Sequence, residues 1–348
     1  MASSARGHDP ETSLMRSVVT RGHCRAQPAR GRIGGDVKTR PYLIPGNAAD
    51  QPAGPAPNLK VSFCIPTKNR RRTIEACLAS IRAQTFEHVE IVVVDNGSSD
   101  GTAEVARKYA DVVDTCDGHL GAVRQRSIDL STGDILGLID DDIILPHTEW
   151  LDRAVRVFAD HPTASTVWPV QVPPTGANWT TRCFFELNDA IFAARVRRDT
   201  AIFGGGNSLF LRAAVERAGG FDPAVGFGED FDLASKLKAL GYTVVWHPDP
   251  LVHDSMWSLK EIYRKQRWGA RAVAAHGPGL LAQTYRDTIY EQVIVAGRTM
   301  FRALLFEGKP WWLTYPAVFA AKALPYSEAI VCRSVIGSKA RVSRKDGT

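Results

Sequence analysis

From Leu59 onward the chain alternates short apolar, β-branched runs with segments of helical period, and this alternation limits its fold more than any other feature. Lys60-Val61-Ser62-Phe63-Cys64-Ile65-Pro66 reads as a buried strand that a proline ends, and Thr73–Gln84 then places Ile74, Cys77, Leu78 and Ile81 at helical spacing. The order repeats. A strand over Val89–Val94 is closed by the turn cluster Asp95–Gly101 and a helix over Thr102–Tyr109. A strand over Asp111–Thr115, a helix over Leu120–Leu130 and a strand over Ile135–Ile139 follow, the last running into Asp140-Asp141-Asp142. Strands alternating with helices predict an α/β fold with a mostly parallel sheet covered on both faces. In such sheets ligands bind beyond the carboxyl ends of the strands. That rule puts Pro66–Arg70, Asp95–Asn96 and Asp140–Asp142 along one edge, where chemistry is expected.

The flanks differ from this core. Residues 1–58 are rich in Gly, Pro, Ala and Arg without sustained periodicity, too little apolar surface to offset the entropy of ordering, and read as a disordered tail. Past Trp150 the pattern is less regular: a helix to Phe158, a strand over Ser165–Val170, a helix over Thr181–Val196 and the loop Phe203–Ser208. A helix near Ala213, a turn at Gly226–Gly228, a helix over Glu229–Leu240 and a strand over Thr243–Trp246 complete it. From about Ser258 the chain is helical, so 59–257 reads as one domain and 258–348 as a helical extension. Ile289–Leu305 and Pro310–Leu324 are apolar with scattered Arg and Lys. Neither reaches the roughly 20 uninterrupted apolar residues of a spanning helix, and contact with a membrane surface stays open.

Composition narrows the function classes. The formal net charge of +6 over 348 residues sits mostly at the two ends, which leaves the middle close to neutral and argues against nucleic acid as the partner. The six cysteines are scattered, with no paired spacing and no Cys/His spacing of a zinc site, so they read as reduced thiols of a cytoplasmic protein that can lie peripherally on the inner membrane surface. The amino terminus has no secretory-signal pattern.

Three successive carboxylates directly after an apolar strand repel one another unless a cation neutralises them. Mg²⁺ or Mn²⁺ is the natural partner, since either takes one or two carboxylates and completes its shell with water and phosphate oxygens. Asp95, in the equivalent edge position, accepts hydrogen bonds either from a nucleoside or from its own turn. Glu229-Asp230 opens a helix after a glycine turn; capping explains one acid, and the second is a candidate general base. His253 is a candidate metal ligand or a plain loop histidine.

Taken in order, Ile65-Pro66-Thr67-Lys68-Asn69-Arg70, Val92–Thr102, Gly133-Asp134 leading to Asp140-Asp141-Asp142, Gly204-Gly205-Gly206-Asn207, Gly220-Phe221-Asp222 and Gly228-Glu229-Asp230 resemble family 2 glycosyltransferases of the GT-A fold, over roughly residues 60–255. The resemblance implies a Rossmann-like nucleotide-binding half fused to an acceptor half, and transfer of sugar from a nucleotide diphosphate to a hydroxyl acceptor with inversion. It puts Pro66, Thr67, Asn69, Arg70 and Asn96 beside the nucleotide, Asp95 on the base, and Arg124 near the diphosphate. Asp140 and Asp142 match the two acids of the DxD motif, with Asp141 between them on the donor. Asp230 matches the base, with Glu229 beside it. Gly205, Gly206 and Asn207 fall on the acceptor side, and His253 where some relatives place a metal-binding histidine. Uridine diphosphate is favoured as carrier, with guanosine and deoxythymidine carriers open. Arg264 stands where processive relatives have the glutamine of Gln-x-x-Arg-Trp, which favours transfer of a single sugar. The competing readings are a metal-dependent nucleotidyltransferase, which releases pyrophosphate, and a non-catalytic membrane-associated adaptor. A dinucleotide oxidoreductase is disfavoured because no Gly-x-Gly-x-x-Gly follows the first strand.

Overall fold

A computed structural model describes residues 59–197, 206–225, 228–275, 285–286 and 289–345. The expected tail at 1–58, Gly204, Gly205 and the turn residues Gly226 and Phe227 lie outside the described residues.

The first half follows the sequence closely. Strand β1 (Val61–Thr67) is buried along its whole length, as its unbroken apolar run requires. It is followed by α1 (Ile74–Arg82), β2 (Val89–Asp95), α2 (Thr102–Ala106), β3 (Val112–Thr115), α3 (Leu120–Leu130) and β4 (Ile135–Leu138). β1 pairs in parallel with β2 and β4, and β2 with β3. In this register Thr67 stands beside Asp95, so both strands deliver their last residues to the same edge.

The second half contains strands that the sequence pattern hides. After β5 (Ile143–Ile144), α4 (Trp150–Asp160), β6 (Ala164–Val172) and α5 (Trp179–Arg197) comes β7 (Ser208–Leu211), only four residues long and continuous with α6 (Arg212–Arg217). It is too short for a period to show. β7 runs antiparallel to β4 and β6, and this turns a parallel sheet into a mixed one of order β3-β2-β1-β4-β7-β6-β8-β5. Helix α7 (Glu229–Ala239) precedes β8 (Thr243–His253). β8 does not stop at Trp246 as expected but passes prolines 248 and 250, whose missing N–H groups would break a regular ladder. The parallel pairing with β6 shifts register between Pro169 and Gln171, and this bulge takes up the irregular segment. The extension has a consequence for chemistry: β8 ends with His253 paired opposite Ile143, the residue that follows Asp142.

One sheet face packs Phe63, Ile65, Ile91 and Val93 against Ile74 and Leu78 of α1, a core continued by Trp150 and Phe158 of α4. The other packs Cys64, Leu136 and Phe210 against Ile128 of α3 and Leu233 and Leu237 of α7. The carboxyl-terminal helices α8 (Leu259–Ala275), α9 (Ala296–Phe306) and α10 (Tyr315–Lys345) are not a separate body. Ile262, Ala296, Ala303, Trp312 and Val318 close over Cys183, Phe184 and Leu187 of α5. The carboxylate of Glu186 on α5 accepts the indole N–H groups of Trp311 and Trp312 at 3.1 and 2.8 Å. No described helix is long and apolar enough to cross a membrane.

Helix α3 starts where the main chain of a later loop comes very close. The Gly121 amide donates to the Val225 carbonyl at 3.1 Å, and a Cβ on Gly121 would lie 2.3 Å from the Asp222 carbonyl oxygen. Only glycine fits against that backbone, and the 222–225 turn leads on to the start of α7. Gly121→Ala is expected to lower stability by about 1–3 kcal/mol through this overlap, read from the urea midpoint. An unchanged midpoint would show that the turn is not pinned there.

Candidate active site

Asp140 and Asp142 leave the end of β4 on a turn whose hydrogen bonds can be followed atom by atom. A backbone N–H can only donate, so the Asp140 amide, 2.8 Å from Asn207 Oδ1, fixes the orientation of that side-chain amide. Asn207 Nδ2 is then the donor to Asp140 Oδ2 and to Gln171 Oε1, each at 3.2 Å. Gln171 Oε1 is therefore an acceptor, and His253 Nδ1, 3.1 Å away, carries the proton. His253 Nε2 is left facing Asp142 Oδ1 at 3.1 Å. Lone pairs do not face each other at that distance without a proton on the ring or a cation between them. Ser255 closes the far side, donating to Asp142 Oδ2 at 2.5 Å. Burial would lift the Asp142 carboxyl, but the His253 ring and the Ser255 hydroxyl outweigh it and hold the group well below the usual carboxylate range.

One ligand atom from each of Asp140, Asp142 and His253 lies within 4.8 Å of the other two. Two hard carboxylate oxygens and one imidazole nitrogen, Nε2 once it is without a proton, fit a divalent cation and leave positions for water and phosphate oxygen.

Arg124, buried in α3, ties this turn to α7. Its Nη2 donates to Asp140 Oδ1 at 2.9 Å and its Nε to Glu229 Oε1 at 3.1 Å. Burial works against the guanidinium charge, and Asp140, Glu229 and Asp230 more than restore it. Its Nη1 is buried and has no hydrogen-bond partner among the described residues. Gly228, with φ of 80° at the N-cap, turns the chain into α7 so that Glu229 and Asp230 open the helix. Burial pushes both carboxyls upward against the pull of Arg124. A Cβ on Gly206 would lie 4.0 Å from Asp230 Oδ2, so Gly206 borders the base candidate directly.

These groups line one cleft of about 1280 Å³, ample for a nucleotide sugar and part of an acceptor. On the β1–β2 side its wall is Pro66, Thr67, Asn69, Arg70, Asn96 and Asp100; on the side of β6, β8 and α5 it is largely aromatic, with Trp168, Trp246, Phe184 and Phe192, and also includes Asp189. Asp142 and Asp230 thus share a cavity although far apart in sequence.

The model of Glycosyl transferase family 2 matches residues 62–219. Glycosyltransferase AglE of Haloferax volcanii is 39% identical over 221 residues, 59% of this chain and 70% of that one. The chain belongs to glycosyltransferase family 2. The O-antigen chain rhamnosyltransferase RfbN of Salmonella typhimurium is 24% identical over 221 residues, 60% of this chain and 70% of the other. Among solved structures, mannosyltransferase PcManGT from Pyrobaculum calidifontis, in complex with GDP-Man and Mn²⁺, superposes with a TM-score of 0.55 at 21% identity, covering 80% of this chain and 90% of that one. The fold is GT-A, as the motif order implied.

In this family 2 glycosyltransferase several residues expected to meet ligand also hold the site together. The Asp95 carboxylate accepts the Ser98 amide at 3.1 Å and the Ser98 hydroxyl at 2.5 Å, the turn alternative raised by its sequence. Asp141 accepts the Thr67 hydroxyl at 2.7 Å and lies 3.4 Å from Arg70 Nε, and burial pushes it up to about 7. Asn69 Oδ1 accepts the Ser99 amide at 2.9 Å, which clamps the two donor-side loops together. Asn207, assigned to the acceptor side, holds Asp140. Sequence reasoning missed Gln171, Ser255 and Asp189. The first two act through strand register, which no local pattern reports; Asp189 sits inside a helix where only the fold shows that it faces the cleft. Gln171→Leu keeps the bulk but removes the acceptor that orients His253. Mn²⁺ affinity measured by calorimetry should fall about 10–100-fold, the usual effect of losing such an outer-shell partner, and an unchanged affinity would remove the glutamine from the site.

Proposed function

We propose that this glycosyltransferase moves a single sugar from a nucleotide-diphosphate donor to an acceptor hydroxyl with inversion at the anomeric carbon, using Mn²⁺ or Mg²⁺ held by Asp140, Asp142 and His253. The observation that carries the reading is Arg124, which joins the acid that opens the metal turn to the acid that opens α7 and still keeps one buried nitrogen, Nη1, without a partner among the described residues. A buried guanidinium nitrogen without a hydrogen-bond partner among the described residues, on a side chain that lines the cleft, calls for an anionic oxygen, and a departing diphosphate supplies one.

The divalent cation, when bound, neutralises charge on the diphosphate. The protein's own groups do the rest. Thr67, Asn69 and Arg70 with Asn96 border the nucleotide, and Asp95 braces the loop that carries Asn96. The acceptor lies on the aromatic side, near Gly206, with Asp189 able to accept its hydroxyl hydrogens. Asp230, its basicity raised by burial, takes the proton from the attacking hydroxyl. The new bond forms between that oxygen and the anomeric carbon as the bond to the diphosphate oxygen breaks, and the electron pair leaves with the nucleoside diphosphate. Arg124 Nη1 meets the departing oxygen. Glu229 holds Arg124 in place for this. Uridine diphosphate remains the favoured carrier on family grounds, with guanosine and deoxythymidine diphosphates as the alternatives. Arg264, in place of the glutamine of processive relatives, supports single transfer. All described cysteines are free, in keeping with a reducing, cytoplasmic location.

Asp230→Asn should lower kcat by about 10²–10⁴-fold, the usual worth of a general base, while calorimetric affinity for the nucleoside diphosphate with Mn²⁺ stays unchanged. Asp142→Ala should lose the Mn²⁺-dependent part of donor affinity. Equal loss of donor binding in Asp230→Asn would remove it as the base. Release of pyrophosphate instead of nucleoside diphosphate would make the enzyme a nucleotidyltransferase.

A further inference from the structure

The segment from the π-helical turn Glu291–Val295 into α9 turns the wrong side chains to water. Toward the α5 core it buries Gln292, Ala296 and Ala303, while Phe301 and Leu305 are each 60% exposed and Phe306 is 76% exposed. Val293 and Ile294 are exposed as well. Within α9, Phe301 and Leu305 are four residues apart and so lie one above the other on one side of the helix. Leu313, 64% exposed, stands on the 3-10 turn Pro310–Thr314 that packs beside α9. Single exposed apolar residues are ordinary on a protein surface, but a helix that hides alanines and shows Phe, Leu, Val and Ile is built for a second apolar phase.

The charges beside these residues say which phase. Arg298, seven residues before Leu305, is exposed on the same side of α9, and Arg302 is exposed next to Phe301, 2.7 Å from Glu307. A second copy meeting this face about a two-fold axis would bring like charges into one rim. An anionic lipid surface is complementary to them. We propose that α9 with the turns before and after it forms a docking face for an anionic bilayer, with Phe301, Leu305 and Phe306 in the acyl boundary and Arg298 and Arg302 among the lipid phosphates. The opposite side of the helix keeps its hold on the protein: the Tyr315 hydroxyl donates to the Gln292 carbonyl and the Lys309 amide to the Ala303 carbonyl, so docking needs no rearrangement. This inference does not depend on the transfer chemistry.

The test is sedimentation of the full chain with vesicles of phosphatidylcholine alone or mixed with phosphatidylglycerol. The wild type should pellet with the mixed vesicles, less so at high salt. Phe301→Ser with Leu305→Ser should reduce that binding about tenfold or more, since two large apolar groups no longer enter the bilayer. Arg298→Glu should weaken binding to the mixed vesicles only. Both variants alter exposed side chains, so melting temperature and nucleotide binding should match the wild type and show that each is folded. Wild type that stays in the supernatant with mixed vesicles, or a serine variant that pellets like the wild type, overturns the proposal. So does a dimer in gel filtration that the serine variant dissolves, which would give the face to a second copy.

Discussion

Arg124 makes the cleft possible. Asp140, Glu229 and Asp230 gather there with Asp141 and Asp142 close by, and such a group of carboxylates cannot stay ionised at close range without a cation among them. The guanidinium meets the first two at 2.9 and 3.1 Å from within α3. Its planar fork can serve two acids and a third partner at once, which the point charge of a lysine could not do with fixed geometry. Breaking a buried pair of this kind typically costs about 3–5 kcal/mol, so the same residue that equips the site also limits how the two acidic loops can move.

The sheet explains why such distant residues meet. Its parallel half brings the ends of β1, β2 and β4 to one edge and so presents Thr67, the 96–100 loop and Asp140–Asp142 side by side. The antiparallel β7 then runs back beside β4, which sets Asn207 against the Asp140 amide. The bulged pair β6 and β8 delivers Gln171 and His253 to the same point. The mixed sheet is therefore what converts an acidic turn into a site with a nitrogen ligand of defined tautomer.

Much of this was legible in the sequence, for physical reasons that differ by residue. Asp140 and Asp142 stood out because acids that end an apolar strand have few bland explanations. Arg124 carried no local signal and entered only through the resemblance. β7 and the far part of β8 escaped because four residues cannot show a period and prolines usually end strands. Gln171 and Ser255 followed them, since their roles exist only once the register is set. Asp95 offered two readings, and its carboxylate accepts Ser98 of its own turn. The apolar character of 289–305 was visible, but which side chains face outward depends on how α9 packs against α5.

The central claim is that the metal turn, α7 and the end of β8 serve one cation and one diphosphate. Anomalous X-ray scattering at the manganese edge, from crystals grown with Mn²⁺ and a nucleoside diphosphate, measures this directly. The account predicts one peak bonded to Asp140, Asp142 and His253 Nε2, with the diphosphate completing its shell within reach of Arg124. Manganese bound elsewhere, or a diphosphate bound away from Arg124, would contradict it.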